Sequence, residues 1–216
     1  MVTAAENKSI AFVTNFYDIN RGNWDTRWKR STDTYMECFR MLARVRVPLI
    51  VYIHDVHYEC ARRICETERD SGTAFPPLTL IPYGEAFLKE HIRAWEYLDV
   101  EAAIMQTAQY REWTRERNTC PETRDPKYNC VNHAKIDFVC HAIHNGGFVN
   151  HADVDYEYYG WVDFGYLKPD ESDRTFPPNG AYAPAPTADW LDPHKVTLVA
   201  NVIPDPAHCT DPVTTL

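Results

Sequence analysis

Residues 158–165 read Tyr-Tyr-Gly-Trp-Val-Asp-Phe-Gly, an aromatic, apolar run that stops at a carboxylate and a glycine. A short apolar run bounded by turn residues reads as a buried strand. In an open α/β sheet, ligands gather in the crevice outside the carboxyl ends of the strands. Asp163 is therefore expected where a bound cation and a phosphate-bearing ligand meet. Magnesium and manganese prefer carboxylate oxygen and keep only one or two protein carboxylates, leaving positions for phosphates and water. The plain alternative is that Asp163 caps a turn. Asp153-Val-Asp155 is a literal D-x-D that competes for the role, but it precedes the strand and is expected at the opposite edge of the sheet or in a loop. Asp163-Phe164-Gly165 also spells the kinase metal motif, yet no glycine-rich loop, strand lysine motif or H-R-D loop accompanies it.

Working outward, residues 9–16 (SIAFVTNF) are nearly continuous apolar and β-branched, the pattern of a central strand. A polar loop follows, then a helical stripe of Tyr35, Phe39 and Leu42 with Met36 and Ala43 beside it. Pro48 closes that helix and residues 49–53 (LIVYI) make a second strand, followed by a charged helix over 60–70. Residues 78–81 form a short third strand after Pro76-Pro77. Leu88, Ile92, Trp95 and Leu98 give one helical stripe, 101–117 continue as helix, and 118–129 read as a loop broken by Pro121 and Pro126. The helical period returns at Val131, with Ile136, Val139, Cys140 and Ile143 on the expected buried face, and 144–147 end it. Alternating strands and helices predict an α/β sandwich with a mostly parallel central sheet flanked by helices. Neither common phosphate loop, G-x-G-x-x-G or G-x-x-x-x-G-K-[ST], is present, so a bound nucleotide needs another device.

The chain has 216 residues, enough for one substantial core. Its 22 basic and 31 acidic residues give a net charge of −9, which argues against non-specific nucleic-acid binding. No run approaches the roughly 18 apolar residues of a membrane span. Residues 1–9 lack the apolar core of a secretory signal, so seven cysteines are expected as reduced thiols in the cytoplasm. The Cys130/His133 and Cys140/His141 pairs fit no common zinc spacing. Nine of the fifteen prolines lie at or beyond residue 169, around one further strand at 196–203 (VTLVANVI). Residues 204–216 read as a tail or linker to a further domain C-terminal to this one.

Thr14, Asn15, Phe16, Tyr17 and Asp18 end the first strand, where an aromatic can stack on a base and Asn or Asp can hydrogen-bond a base edge or ribose. Arg21 and Arg27 follow and can reach phosphate oxygens, unless they are solvated loop arginines. Lys135 can reach a diphosphate, snorkel to the surface or pair with a neighbouring acid. His194, just before the last strand, is a candidate to complete a metal shell at Asp163.

Three stretches together carry a resemblance: VTNFYDINRGNW (13–24), NHAKIDFVCHAI (132–143) and YYGWVDFG (158–165). Across roughly residues 9–203 the chain resembles the HtrL/YibB group of glycosyltransferases, and especially the GT-A-type glycosyltransferase domain encoded by chlorella viruses. That resemblance implies a single GT-A-like domain over 1–203, in the host cytoplasm if viral. It implies a UDP-sugar donor, Mn2+ or Mg2+, and transfer to a glycan acceptor hydroxyl. It makes residues 14–18 the nucleotide-facing strand end, Arg21 and Lys135 diphosphate-side cations, and Asp163 the metal-binding acid of the D-x-D position. Gly165 stands where a second carboxylate is usual. A candidate base is looked for among Asp189, Asp192 and Asp205. The rival expectation is a catalytically idle module that binds a nucleotide sugar or glycan.

Overall fold

The structure is a computed structural model that describes residues 10–24, 27–45, 47–69, 76–117, 120–145 and 156–168. Asp153, Asp155, Asp189, Asp192, His194, Asp205, the strand expected over 196–203 and the boundary at 203/204 lie outside the described residues.

Four strands are described: β1 (Ile10–Phe16), β2 (Leu49–His54), β3 (Leu78–Tyr83) and β4 (Tyr158–Trp161). They form one sheet in the order β3-β2-β1-β4, with every neighbouring pair parallel. The described chain is thus a Rossmann-like α/β sandwich with helices on both faces. The central strands are apolar on both sides because both sides are covered. Along β2, Ile50 and Tyr52 join one core and Leu49, Val51 and Ile53 the other, as a strand's period of two demands.

One face is covered by α1 (Thr32–Ala43) and α2 (Asp55–Arg69). Ser31 caps α1 by accepting from Thr34 N at 3.1 Å, and Met36, Phe39, Leu42 and Ala43 supply its buried stripe. The opposite face carries α3 (Glu85–His91), α4 (Arg93–Glu96) and α7 (Pro126–His144). The stripe expected as one helix over 88–98 is broken at Ile92, whose extended backbone separates α3 from α4. Residues 98–113 likewise divide into α5 (Leu98–Gln106) and α6 (Ala108–Trp113), with Thr107 ending one and capping the next.

The largest departure from expectation is α7. Pro126 does not break it but begins it, at the first helical position where a missing N–H costs nothing. Asp125 caps it, accepting from Lys127 N at 2.9 Å. Its buried face is Cys130, Ala134, Phe138 and Ala142, not the expected Ile136–Ile143 stripe. Ile136 is 73% exposed and Ile143 49%. Phe138 centres this face, reaching Tyr52 at a ring separation of 4.9 Å, with Ala134 and Ala142 one turn to either side of it.

Candidate functional site

The strand order reverses between β1 and β4: the chain steps from β1 out to β3, then returns to the far side of β1. The helix that follows β1 packs on one face, and α7, which comes before β4, packs on the other. Their connections splay apart, which opens a crevice at the carboxyl ends. A cavity of about 440 Å³ lies there, lined from the end of β1, from α7 and from the turn after β4.

β4 ends at Trp161, and Val162 N still donates to Val13 O at 3.0 Å. Asp163 is then the first residue clear of the ladder, and Tyr166 N closes a turn onto its carbonyl at 2.9 Å. Phe164 dives inward and stacks between Phe16 and Phe39, at ring separations of 4.9 and 4.7 Å. This anchor holds the Asp163 side chain at the cavity wall, 54% exposed.

Lys135 Nζ sits 2.6 Å from Asp163 Oδ1, and Trp161 Nε1 donates to the same oxygen at 2.7 Å. Burial alone would push the Asp163 carboxyl up; the bonds from Lys135 and Trp161, with the charge of Lys135, outweigh it and hold the group below its ordinary range. A partly exposed pair of this kind contributes at most about 1 kcal/mol. A ligand can therefore break it.

Four cationic side chains line the cavity, Arg21, Arg30, Lys135 and Lys168, against the carboxylates of Asp18 and Asp163. The chain as a whole carries −9, so the local balance is opposite to the global one. Arg21 is 8% exposed. It donates to Tyr35 Oη at 2.6 Å and Trp28 O at 2.8 Å and lies near the rings of Trp24, Tyr35 and Tyr128. Its Nε has no hydrogen-bond partner, and no carboxylate among the described residues pairs with it. Arg30 lies over the other flank of Tyr35, 5.8 Å from the ring centre, again with no described acid in ion-pair reach.

Of the residues expected at the site, Asn15, Phe16, Tyr17, Asp18, Arg21, Lys135 and Asp163 all line this cavity. Thr14 does not. It is fully buried in mid-strand opposite Val51, which corrects the expectation that the strand opens to ligand from residue 14. Phe16 is only 4% exposed and packed by Phe164, Tyr35 and His57, so it walls the cavity and has no open face for a base. Tyr17 donates to Glu85 and packs edge-on against His54 and Trp95. Asp18 is engaged locally, accepting from Asn20 N at 2.7 Å and Thr32 Oγ1 at 2.5 Å, which fixes the loop where Asn20 takes a positive φ of 59°. Arg27 stacks on Trp28 and is not among the lining residues.

The Mn2+ or Mg2+ expected at Asp163 finds no shell among the described residues. No three His, Cys, Asp or Glu side chains converge there. Of the two cavity carboxylates, Asp18 is held by its own loop and by Thr32 and Asp163 already faces an ammonium, and that described donor set does not fit a divalent cation. The zinc alternative finds no support in it either: Cys130 is buried in the core, Cys140 is exposed, and His141 Nδ1 bonds Tyr52 Oη at 2.8 Å.

Sequence reasoning missed Arg30, Tyr35, Tyr128, Asn132 and Trp161 as lining residues. Tyr128, Asn132 and Lys135 follow i, i+4, i+7 on one face of α7, a signal that starting the helix at Pro126 would have exposed. Arg30 and Tyr35 had no such signal, since they reach the cavity from the α1 side.

A model of the family described as "Bacterial protein of unknown function (HtrL_YibB)" matches residues 8–201. No curated protein and no solved structure matches the chain.

Proposed function

The chain belongs to the HtrL_YibB family, and we propose that it is a GT-A-type glycosyltransferase, moving a sugar from a UDP-sugar donor to a glycan acceptor hydroxyl. One observation carries this reading: a cavity at the sheet's switch point whose lining is cationic within an acidic chain. Such a cavity suits a ligand with concentrated negative charge and an organic body.

In the transfer, the bond between the sugar's anomeric carbon and the diphosphate oxygen breaks, and negative charge gathers on the departing UDP. Preorganised cations at that place lower the barrier by stabilising the charge as it develops. Lys135 serves this role by exchanging Asp163 for a diphosphate oxygen. Arg21, buried in the cavity wall with no described counter-acid, adds positive charge on the diphosphate side, and its forked bonds to Tyr35 and Trp28 hold the loop after β1 and the flank of α1 together. Asn15 and Tyr17 stand at the end of β1 for the nucleoside. The acceptor hydroxyl attacks the anomeric carbon and gives up its proton to a carboxylate base, sought among Asp189, Asp192 and Asp205, which lie outside the described residues.

A second reading, an idle module that binds a nucleotide sugar, is favoured by the engagement of both cavity carboxylates, Asp18 by the loop and Asp163 by Lys135. Incubation with a panel of nucleotide sugars and glycan acceptors separates the two. Release of UDP that rises with acceptor supports the transferase; tight UDP binding without turnover across the panel supports the module. A thermal-shift screen in which no nucleoside diphosphate or its sugar raises the melting temperature would sink both.

A further inference from the structure

Resting on the nucleotide-sugar reading, we propose that this cavity neutralises the diphosphate with side-chain cations alone, Lys135 and Arg30 standing where a divalent metal would otherwise act.

Three features of the cavity support it. Lys135 Nζ already occupies the cation position beside Asp163, at 2.6 Å from Oδ1. Asp163 here acts as the resting counterion of Lys135, keeping an otherwise repulsive set of cations together until the anionic ligand arrives. Next, position 165 is a tight place for another ligand side chain. A Cβ there would meet the Tyr35 ring at 3.2 Å and lie 3.7 Å from an Arg30 guanidinium nitrogen. The space beside Gly165 is therefore bordered by an aromatic ring and a cation. Lastly, Arg21 is more than nine-tenths buried in the same wall, with Nε unpartnered and no described acid in reach. Buried guanidinium without a counter-charge is costly unless an anion supplies it. A guanidinium fork and an ammonium together match the oxygens of a diphosphate.

The chemistry balances without a metal. Lys135 leaves Asp163 for the diphosphate, and on UDP release it returns. No proton changes hands in that exchange.

The test is titration calorimetry of the full chain with UDP and with inorganic pyrophosphate, in EDTA and in Mn2+. The expected result is binding in EDTA, changed less than threefold by Mn2+, and weakened more than tenfold in Lys135→Met and in Arg30→Met. Asp163→Asn keeps the shape and the Trp161 contact but releases Lys135, so it should bind pyrophosphate about threefold more tightly; its melting curve establishes that it is folded. Binding that appears only with Mn2+ and disappears in Asp163→Asn would overturn the inference while leaving the nucleotide-sugar reading standing. Failure of UDP, pyrophosphate and other nucleoside diphosphates to bind under both conditions would remove that reading, and the inference with it.

Discussion

Lys135 on α7 and Asp163 in the turn after β4 meet at 2.6 Å, tying the helix that precedes β4 to the residue that follows it. Both residues line the cavity, and Trp161, also in its lining, donates to the same carboxylate oxygen. Its partial exposure makes it weak in energy. Its position makes it a switch between a resting contact and a ligand contact.

Lys135→Met should therefore barely change stability, by no more than about 1 kcal/mol, because a partly exposed ion pair is worth little. The same change should weaken UDP more than tenfold. Urea unfolding and calorimetry on one preparation check both halves. A loss of several kcal/mol in folding would show that the pair is structural.

Phe164→Ala should be severe. The ring is 4% exposed and lies between Phe16 and Phe39. Truncating a buried phenylalanine costs about 3–5 kcal/mol. Because the ring anchors the turn that presents Asp163, ligand affinity should fall as well, even under conditions where the variant remains folded by circular dichroism.

Gly160→Ala tests the packing of β4 on β1. An added Cβ would lie 2.8 Å from the Phe12 ring, so strand or ring must shift. Overpacking of this kind costs typically 1–3 kcal/mol. A Gly160→Ala/Phe12→Leu pair should recover part of the loss, measured as the midpoint of urea unfolding.

Acid should destabilise the fold before the carboxylates titrate. Burial pushes His57 below its ordinary value of 6.5, against the pull of Asp18. Burial, with the neighbouring His91 and His144, does the same to His141, whose ring bonds Tyr52 Oη. A lowered histidine binds fewer protons folded than unfolded, so stability is full above about 6.5 and declines as pH drops from there toward the folded value. Melting temperature should fall between pH 7.5 and 5.5, by about 2–4 °C for each kcal/mol lost in a chain of this size. His57→Gln with His141→Gln should flatten that slope. Asp163 acts in the same direction at lower pH: its lowered carboxyl stabilises the fold above its ordinary value of 3.8, and that contribution disappears only as pH falls through the lower folded value.

Much of the architecture was legible before any coordinates. Continuous apolar runs at 9–16 and 49–53 marked the buried strands β1 and β2, because a parallel sheet covered on both faces has no polar side to show. The run at 158–165, by contrast, holds a strand only over Tyr158–Trp161, half-buried along its length. Strand–helix alternation then implied the sandwich, and the carboxylate at the end of β4 pointed to the end where the cavity lies. The faces of α7 were misread for a physical reason. Isoleucine and valine outrank alanine and cysteine in hydropathy, but the buried stripe is the one that runs through Phe138, and Pro126 is harmless at a helix start though disruptive within one.

The sequence by itself determined the layer order's ingredients and the chemistry at the ends of β1 and β4, since both follow from local pattern. Only the tertiary structure decided that β4 lies beside β1, that Lys135 from α7 lands on Asp163, and that Arg21, Arg30 and Tyr35 close the same cavity. Lys135 and Asp163 lie 28 positions apart and the paired residues of β1 and β4 lie 148 apart, and local propensity carries no information about such distances.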